Sequence, residues 1–244
     1  MKLNLSNQVA IVTGAARGIG RTIAVDLSDA GCRLVLTSRD VETLDETRRM
    51  CDHAHTFALP ADLTEPGTPE RIVERAMQRY GRVDILINNA GAYVRAPMHT
   101  AKPEDWESVL DINLRAVMRL TRAALPHIIE APEGSARAVI NMSSVAGKFT
   151  FAGGAGYVAS KHALMGFSGS AFEDVREMGV KISAICPGFV NTDMVAGQPL
   201  DPEKLIQPKD ISEAVQFVLG FPSTSCPTEI IIRPQRSPFI RKES

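Results

Sequence analysis

The stretch YVASK (157–161) places the phenol of Tyr157 and the ammonium of Lys161 four positions apart, in a segment that the sequence predicts to be helical. Side chains at positions i and i+4 lie on one face of a helix, one turn apart. A fixed positive charge favours the phenolate, so it lowers the pKa of a tyrosine from its ordinary value of about 10 towards the working range of an acid catalyst. The alternative is a solvated tyrosine beside a solvated lysine, and the two interpretations differ in what must surround the pair.

The composition indicates a globular protein. The chain has 244 residues, of which 44% are hydrophobic, and this length suits one α/β domain with a sizeable core. Lysine and arginine number 27 against 28 acidic residues, so the formal net charge is -1. This balance argues against a nucleic-acid-binding protein and against a polybasic membrane surface.

Neither secretion nor membrane insertion is expected from the sequence. The N-terminal stretch MKLNLSNQVAIVTG is typical of neither a signal peptide nor an anchor, and no apolar run approaches the roughly 18 residues that cross a bilayer. The four cysteines show neither CxxC pairing nor metal-ligand spacing, and they are Cys32, Cys51, Cys186 and Cys226. We therefore expect a cytoplasmic protein with reduced thiols. The five histidines show no HExxH spacing, and no metal site is predicted.

Short β-branched runs alternate with longer amphipathic segments. The predicted strands are 9–13, 33–38, 55–61, 84–88, 138–143, 181–186 and 229–234. The predicted helices are 18–30, 40–51, 68–80, 103–129, 156–178 and 210–219. Several strands are apolar at consecutive positions, as expected for a parallel sheet that is covered on both faces. The pattern predicts an α/β fold, a single doubly wound (Rossmann-type) domain over residues 1–244, with the substrate site at the C-terminal ends of seven parallel strands.

A glycine-rich turn, TGAARGIG (13–20), follows the first predicted strand and opens the first predicted helix. Glycines there let the backbone approach a pyrophosphate, and the free N–H groups of a helix N-terminus attract its charge. Tight packing alone could also use three glycines, but the position after the first of seven strands favours a dinucleotide-binding turn.

The spacing TGxxxGxG differs from the GxGxxG fingerprint and resembles the signature of the classical short-chain dehydrogenases/reductases. Further motifs of that family follow in the family's order over about residues 8–195. They are NNAG (88–91), DIN with Asn113, NMSS (141–144), YVASK (157–161) and PGFVNT (187–192). The resemblance implies an NAD(P)-dependent oxidoreductase that transfers a hydride between a nicotinamide and a ketone or secondary alcohol.

Four residues match the family's catalytic set, namely Asn113, Ser144, Tyr157 and Lys161. By resemblance, Tyr157 is the general acid. Lys161 and the positively charged oxidised nicotinamide together lower its pKa, and Lys161 also hydrogen-bonds the nicotinamide ribose. Ser144, rather than its neighbour Ser143, is implied to donate to the carbonyl oxygen, and the absence of a GxSxG elbow argues against a nucleophilic serine. Asn113 is implied to hold a water that links Lys161 to bulk solvent. Asparagine is unfavourable inside a helix, which also suggests a functional reason for it.

The end of the second strand indicates which cofactor is preferred. NAD-preferring relatives usually carry an acidic residue there, whereas this chain has Ser38 followed by Arg39. With Arg17 in the glycine-rich turn, two guanidiniums would suit a 2′-phosphate, although both could simply be solvated. We therefore predict that NADP(H) is preferred, with NAD(H) as the alternative.

The resemblance implies a larger cofactor-binding set. Asp62 would accept from the adenine amino group, although an acid near a helix N-terminus is the plainer interpretation. Val190 and Thr192 would hold the nicotinamide carboxamide, and residues 89–91 would leave room for the adenosine ribose. The full set is Gly14, Arg17, Gly18, Ile19, Gly20, Ser38, Arg39, Asp62, Leu63, Asn89, Ala90, Gly91, Tyr157, Lys161, Pro187, Gly188, Val190 and Thr192.

Three loops should form the substrate pocket, namely Tyr93 and Val94, residues 145–156, and the chain from Phe189 onward. The stretch 191–208 is short for a lid, which suggests an open site for a ketone or a carrier-linked 3-oxoacyl group. The alternatives are an alcohol or sugar dehydrogenase working oxidatively and, more remotely, a non-enzymatic dinucleotide-sensing protein.

The partner expected by resemblance is a second copy of the chain, in a homodimer or homotetramer built on the helices at 103–129 and 156–178. No nucleic-acid or membrane partner is expected. The C-terminal sequence IIIRPQRSPFIRKES departs from the Asp-Gly-Gly ending of many relatives, so the role of this tail stays open.

Overall fold

The computed structural model describes residues 3–240, and within them seven parallel strands form one sheet. The strands are β1 Val9–Thr13, β2 Arg33–Thr37, β3 Thr56–Ala58, β4 Ile85–Asn88, β5 Ala138–Met142, β6 Lys181–Pro187 and β7 Glu229–Ile232. Their order across the sheet is β3-β2-β1-β4-β5-β6-β7. The chain runs outward in one direction from β1 and in the other from β4, so a crevice opens where these two strands end. The prediction of a doubly wound parallel sheet is confirmed.

Helices cover both faces of this sheet. They are α1 Gly18–Asp29, α2 Val41–Met50, α3 Thr68–Tyr80, α4 Pro103–Leu110, α5 Ala116–Ile129, α6 Ala155–Val175 and α7 Pro208–Gly220. Helices α1, α2 and α7 pack with one set of strand residues, including Val12, in a first core cluster. Helices α3, α5 and α6 pack with the opposite set, including Ile11, in a second cluster. Because both faces are covered, β1, β4, β5 and β6 are buried along their whole length.

The predicted helix 103–129 is interrupted. A π-helical turn, Asp111–Arg115, separates α4 from α5 and contains Asn113. The predicted strand 55–61 is shorter than expected, since β3 covers only Thr56–Ala58. Beyond β3, the N–H groups of Leu59 and Ala61 still donate to carbonyls in and just after β2, while Pro60 between them has no N–H to donate. The other predicted elements are present, and their ends differ from the predicted ones by at most three residues.

Within residues 3–240, no helix combines the length and the apolar character that a membrane span requires.

Candidate active site

The glycine-rich turn has a backbone that only glycine adopts easily. Gly14 and Gly18 have φ values of 63° and 55°, in the left-handed region. A Cβ on Gly20 would lie 2.2 Å from the carbonyl oxygen of Gly14, which no relaxation of a flexible side chain could relieve. The turn is therefore shaped to bring backbone, rather than side chains, up to a ligand.

The helix that follows this turn starts with its N–H groups free of side-chain capping. Arg17 is the N-cap residue of α1, and its side chain makes no capping hydrogen bond. Uncapped N–H groups and the helix dipole together favour a bound anion at this position. Ile19, in the first turn of α1, is half-buried and packs on the first core cluster. These features fit a pyrophosphate, as the sequence predicted.

The segment after β4 holds the glycine-rich turn in place. The Thr13 hydroxyl accepts from the N–H groups of Asn89 and Ala90 at 2.9 and 3.0 Å. The Asn89 side chain donates to the carbonyls of Thr13 and Gly14 at 2.9 and 3.2 Å. Asn89 thus holds the glycine-rich turn in place, in addition to lying beside the ribose, as the family resemblance implies.

Arg21 is a second brace, which the sequence did not indicate. Its guanidinium donates to the carbonyl of Ala16 at 2.9 Å and to the Glu46 carboxylate at 3.0 Å. The hydroxyl of Thr47 reaches the same Ala16 carbonyl at 3.1 Å. The bonds to Glu46 and from Thr47 tie α2 to the turn, and their partners lie 25 and 31 positions apart, so no local sequence pattern reveals them.

At the adenosine end, both predicted phosphate ligands stand at the surface beside a carboxylate. Arg39 is 80% exposed and lies 3.8 Å from Asp62, while Arg17 is 73% exposed and lies 3.0 Å from Asp193. Ser38 is half-buried between the end of β2 and Arg39. The guanidiniums of both arginines are therefore accessible from solvent, and each is paired with a single carboxylate.

Asp62 uses part of its carboxylate locally. One oxygen accepts from the backbone N–H and the hydroxyl of Thr64, at 2.9 and 2.7 Å. These bonds, together with Arg39, hold the pKa of Asp62 below its ordinary value. The other oxygen faces Arg39. Leu63, placed beside the adenine by resemblance, is buried in the second core cluster. Asp62 therefore also stabilises the local turn through Thr64, in line with the plainer interpretation of this residue.

The segment expected at the nicotinamide follows β6. The Gly188 N–H donates to the Ile232 carbonyl at 2.7 Å, and Val190 is buried and pairs with Ile206 in an isolated parallel bridge. A Cβ on Gly18 would lie 3.1 Å from the Cγ2 of Thr192. The segment after β6 therefore reaches across the crevice to the glycine-rich turn.

The proposed reacting groups converge at the ends of β5 and β6. Ser144, directly after β5, donates to the Pro187 carbonyl at 3.4 Å and accepts from the Ala146 N–H at 3.1 Å. Lys161 is almost fully buried in α6, and its Nζ donates to the Met142 carbonyl at 2.9 Å. The same Nζ lies 5.7 Å from the ring centroid of Tyr157. The neighbouring Ser143 side chain is buried, whereas Ser144 is half-buried, which agrees with the choice of Ser144.

The pKa values of the pair differ from the simple expectation. Burial raises the pKa of Tyr157, and a hydrogen bond with Ser144 lowers it less than burial raises it. Burial also lowers the pKa of Lys161 to about 8, so the lysine is still mainly protonated at neutral pH. In the protein without cofactor, desolvation of the phenolate is therefore the dominant influence on the Tyr157 pKa, and the lowered pKa expected with the oxidised nicotinamide bound stays a prediction.

Asn113 holds the loop after β4 instead of presenting a free amide. Its side-chain oxygen accepts from the Ala92 N–H at 2.8 Å, and its amide donates to the Ala92 carbonyl and the Ser160 hydroxyl at 2.9 and 3.0 Å. A Cβ on Gly91 would lie 3.0 Å from the Asn113 oxygen and 3.8 Å from the Lys161 Nζ. Asn113, Gly91 and Lys161 are therefore neighbours, and the Asn113 side-chain amide has both of its N–H groups engaged by the protein.

A buried polar ladder under the site was not anticipated. The Asn88 amide donates to Thr121 and to Asn141 at 3.1 and 2.8 Å, and the Asn141 amide donates to Ser168 at 2.9 Å. These bonds join the ends of β4 and β5 to α5 and α6. They fix the spacing between the glycine-rich side of the crevice and the helix that carries Tyr157.

A small recess opens beside Tyr157, between α4, the start of α6 and the loop after β4. Its lining is mostly apolar and includes Val94, Met98, Trp106 and Val109. Tyr93 packs edge-on against Tyr157 with ring centroids 5.0 Å apart. Of the predicted pocket walls, the loop after β4 and the start of α6 are brought to Tyr157. Among the described residues, no three His, Cys, Asp or Glu side chains are grouped as metal ligands would be.

Comparison with known proteins agrees with this geometry. The family described as short chain dehydrogenase matches residues 8–203. The chain belongs to the short-chain dehydrogenase family. It is an NAD(P)-dependent short-chain dehydrogenase/reductase, and the prediction made from its motifs is confirmed.

Among curated relatives, an uncharacterised oxidoreductase of Staphylococcus aureus (strain MW2) is 31% identical over 230 residues, which cover 94% of this chain and 98% of that protein. A crystal structure titled as a short-chain dehydrogenase/reductase, glucose/ribitol dehydrogenase, from Brucella melitensis has a TM-score of 0.88 and 26% identity, covering 96% of this chain and 98% of that one. A metagenomic short-chain oxidoreductase in complex with NADP has a TM-score of 0.82 and 36% identity, covering 96% and 99%.

Proposed function

We propose that this protein is an NADP(H)-dependent carbonyl reductase that interconverts a ketone and a secondary alcohol. The observation that carries the proposal is the convergence of Ser144, Tyr157 and Lys161 at the strand ends, beside a glycine-rich turn with uncapped helix N–H groups. When bound, the nicotinamide supplies or accepts the hydride. The residues of the chain must then orient the carbonyl and manage one proton.

Tyr157 is the proton donor in this proposal. As the carbonyl carbon gains a hydride, its oxygen becomes an alkoxide, and the phenol transfers its proton to that oxygen. The Ser144 hydroxyl donates to the same oxygen and stabilises its growing negative charge. The phenolate that remains is stabilised by the Lys161 ammonium and, in the oxidised complex, by the positive charge of the nicotinamide. Because the pKa of Tyr157 is raised in the protein alone, these charges are needed to bring it into range.

Lys161 has a second task, which is to bind the ribose hydroxyls next to the nicotinamide. Its Nζ already donates to the Met142 carbonyl, and two further N–H bonds are free to be offered to the ribose. Asn113 acts through others, because it positions the Ala92 loop and lies next to Lys161. A water between Asn113 and Lys161 would have to use the Asn113 backbone or the remaining lone pair of the side-chain oxygen.

The preference for NADP(H) is supported by Ser38, Arg39 and Arg17. A neutral Ser38 does not repel a 2′-phosphate, and the exposed guanidiniums can each rotate onto it. The 36% identical metagenomic relative was solved with NADP, which favours the same choice. Calorimetric titration with NADPH and NADH tests it, and equal affinities would contradict the preference.

Two other substrate classes are kept as alternatives. An alcohol or sugar dehydrogenase working oxidatively is favoured by the structural likeness to a protein titled glucose/ribitol dehydrogenase. Reduction of a 3-oxoacyl thioester uses the same proton donor. Absorbance assays with ketones, 3-oxoacyl thioesters, secondary alcohols and sugars, run in both directions with both cofactors, distinguish them. Tight NADPH binding without turnover of any substrate would favour a dinucleotide sensor.

The decisive test of the catalytic roles uses matched tyrosine variants. Tyr157→Phe removes the proton and keeps the ring, so turnover should fall by about 10²–10⁴-fold while NADPH affinity is kept. Tyr80→Phe is the control, because the Tyr80 hydroxyl is also partly buried and bonds the His55 carbonyl, at 3.0 Å, far from the site in the sheet. Unchanged turnover in Tyr157→Phe, where chemistry limits the rate, would remove the tyrosine from the mechanism.

We further propose a homodimer or homotetramer in the cytoplasm, in which α5 and α6 pair with those of a second copy. The outer face of α6 carries small residues such as Gly166, which allow close approach, and ends in Glu173 and Asp174. The outer face of α5 exposes Met118 and Arg122, so the two helices offer complementary charge. Sedimentation tests the assembly, and Arg122→Glu should weaken it. A monomer at micromolar concentration would contradict this proposal.

A further inference from the structure

The C-terminal tail, residues 233–240 after β7, folds back towards the reacting end of the site. Leu200 and Phe239 form an isolated antiparallel bridge, and the Asp201 N–H donates to the Pro238 carbonyl at 2.8 Å. Leu200 and Pro238 are buried, so this short contact excludes water from the backbone bonds. The tail is therefore attached to the segment that follows the nicotinamide-binding residues, and its sequence is the part of the chain that departs from the family pattern.

The tail brings one aromatic side chain against another. The rings of Phe189 and Phe239 are 5.5 Å apart at an interplanar angle of 81°, an edge-to-face pair. Phe189 lies two positions after Pro187, whose carbonyl accepts from the Ser144 hydroxyl. The aromatic pair therefore belongs to the segment whose first residue, Pro187, contacts Ser144.

The side chain of Phe239 is not enclosed by the protein. Its side chain is 58% exposed although it packs on Phe189, and Ile240 next to it is also exposed. On the Tyr157 side, Tyr93 packs against Tyr157 and, with centroids 6.4 Å apart, against the exposed Phe151. Exposed aromatic side chains thus stand on two segments that lead to the reacting groups, the segment after β6 and the loop after β4, and exposed apolar surface near a site is where ligands often bind.

We propose that Phe189 and the tail residue Phe239 form an apolar wall of the substrate site, and that the substrate is a ketone with a large apolar, preferably aromatic, substituent. This rests on the function proposed above and names its substrate class. A ring of the substrate can stack on the exposed edge or face of Phe239, which the edge-to-face pair leaves open. The apolar lining of the pocket beside Tyr157 suits the same class. A sugar or a phosphate-bearing carrier would instead require hydrogen-bond donors or cations at this wall.

The test compares two ketones in wild-type protein and in tail variants. The probes are an aryl methyl ketone and a small aliphatic ketone, each assayed with saturating NADPH. Phe239→Ala should lower the ratio of kcat/KM for the aryl ketone to kcat/KM for the small ketone by about 10-fold or more, and Phe239→Leu by less. The effect should lie mainly in the KM of the aryl ketone, because the wall binds the substrate without touching the reacting atoms.

Phe217→Ala is the matched control. Phe217 lies in α7, is 54% exposed and also forms an edge-to-face pair, with Phe221 at 5.1 Å. Removing it deletes an equally exposed aromatic side chain from another part of the surface, so the ratio between the two ketones should not change.

Three results would overturn the proposal. An unchanged ratio in Phe239→Ala would show that the ring does not contact the substrate. Equal losses for both ketones, together with a raised KM for NADPH, would show that the tail only clamps the segment after β6. If the wild-type protein itself reduced neither ketone but acted on a thioester or a sugar, the substrate class would be wrong, whereas inactivity on all carbonyl and alcohol probes would remove the proposed function as well.

Discussion

Lys161 destabilises the folded protein in the absence of cofactor, and its replacement should reveal by how much. Burial lowers its pKa from 10.5 to about 8. This lowering of the pKa reduces the free energy of unfolding by about 3 kcal/mol at neutral pH, since each pKa unit is worth about 1.4 kcal/mol. Below pH 8 Lys161 is protonated in both the folded and the unfolded protein, so the full loss of stability is present. Between about pH 8 and 10.5 Lys161 stays protonated only in the unfolded protein, and the loss of stability becomes smaller as the pH rises.

Lys161→Met keeps the length of the side chain and removes the buried charge. Without the Lys161 Nζ, the Met142 carbonyl has no donor, and this offsets roughly 1 kcal/mol of the gain in the free energy of unfolding. We therefore expect the free energy of unfolding at about pH 7 to rise by roughly 1–3 kcal/mol, while NADPH affinity and turnover fall. The excess over wild type should shrink by about 2 kcal/mol between about pH 7 and pH 9.5. Urea unfolding at both pH values and at one protein concentration measures this difference. The buried Cys32 thiol, whose pKa burial raises, is present in both proteins, so its titration cancels in the difference.

Lys181→Met is the matched control. Lys181 is also largely buried, donates to the Phe221 carbonyl and has a pKa that burial lowers, but it lies at the start of β6, at the opposite end of the strand from the site. Its variant should show a pH-dependent change in stability of the same sign with NADPH binding unaffected. A Lys161→Met protein that is less stable than wild type at neutral pH, by a margin that does not change up to pH 9.5, would refute the reasoning.

Three further outcomes are expected. Gly20→Ala places a Cβ 2.2 Å from the Gly14 carbonyl oxygen, so NADPH affinity should fall at least about 10-fold, whereas Gly220→Ala, with only ordinary contacts, should bind as wild type in the same fluorescence titration. Arg39→Asp should cost about 1.5–3 kcal/mol of NADPH affinity, measured by calorimetry, and an equal loss for NADH would contradict a phosphate contact. Asn113→Leu should lower the free energy of unfolding by about 1–3 kcal/mol because it leaves the half-buried N–H and carbonyl of Ala92 without partners, and a loss below about 0.5 kcal/mol in urea would argue against that role.

The sheet and the main site residues could be predicted because the signal for them is local. Apolar runs separated by helical patterns fix the strands, and each motif stands at a strand end, where a parallel sheet gathers its ligands. Glycines at 14 and 18 need positive φ, so their spacing carries the shape of the turn directly. Ser144 and Lys161 are likewise near each other because β5 and α6 are consecutive elements.

The π-helical turn at Asp111–Arg115 could not be predicted in this way. The apolar periodicity runs through 103–129 without a break, and the turn coincides with Asn113, whose partner Ala92 lies 21 positions earlier in the chain. The raised pKa of Tyr157 in the protein without cofactor could not be predicted either, since it depends on how much water the packed protein excludes. Both features are tertiary, and a spacing rule contains neither.

The two halves of the site are held in different ways, and this difference has a functional consequence. The glycine-rich turn is braced by buried or half-buried bonds from Thr13, Asn89 and Arg21, so little ordering is needed when a dinucleotide binds. The segment after β6 is held at the surface, by the exposed ion pair that Asp193 forms with Arg17 and by the contact of Phe189 with the exposed ring of Phe239. Exposed ion pairs contribute little stability, so this segment can be altered without loss of the fold. Substrate specificity can therefore diverge in the tail and the segment after β6 while cofactor binding and proton transfer stay constant.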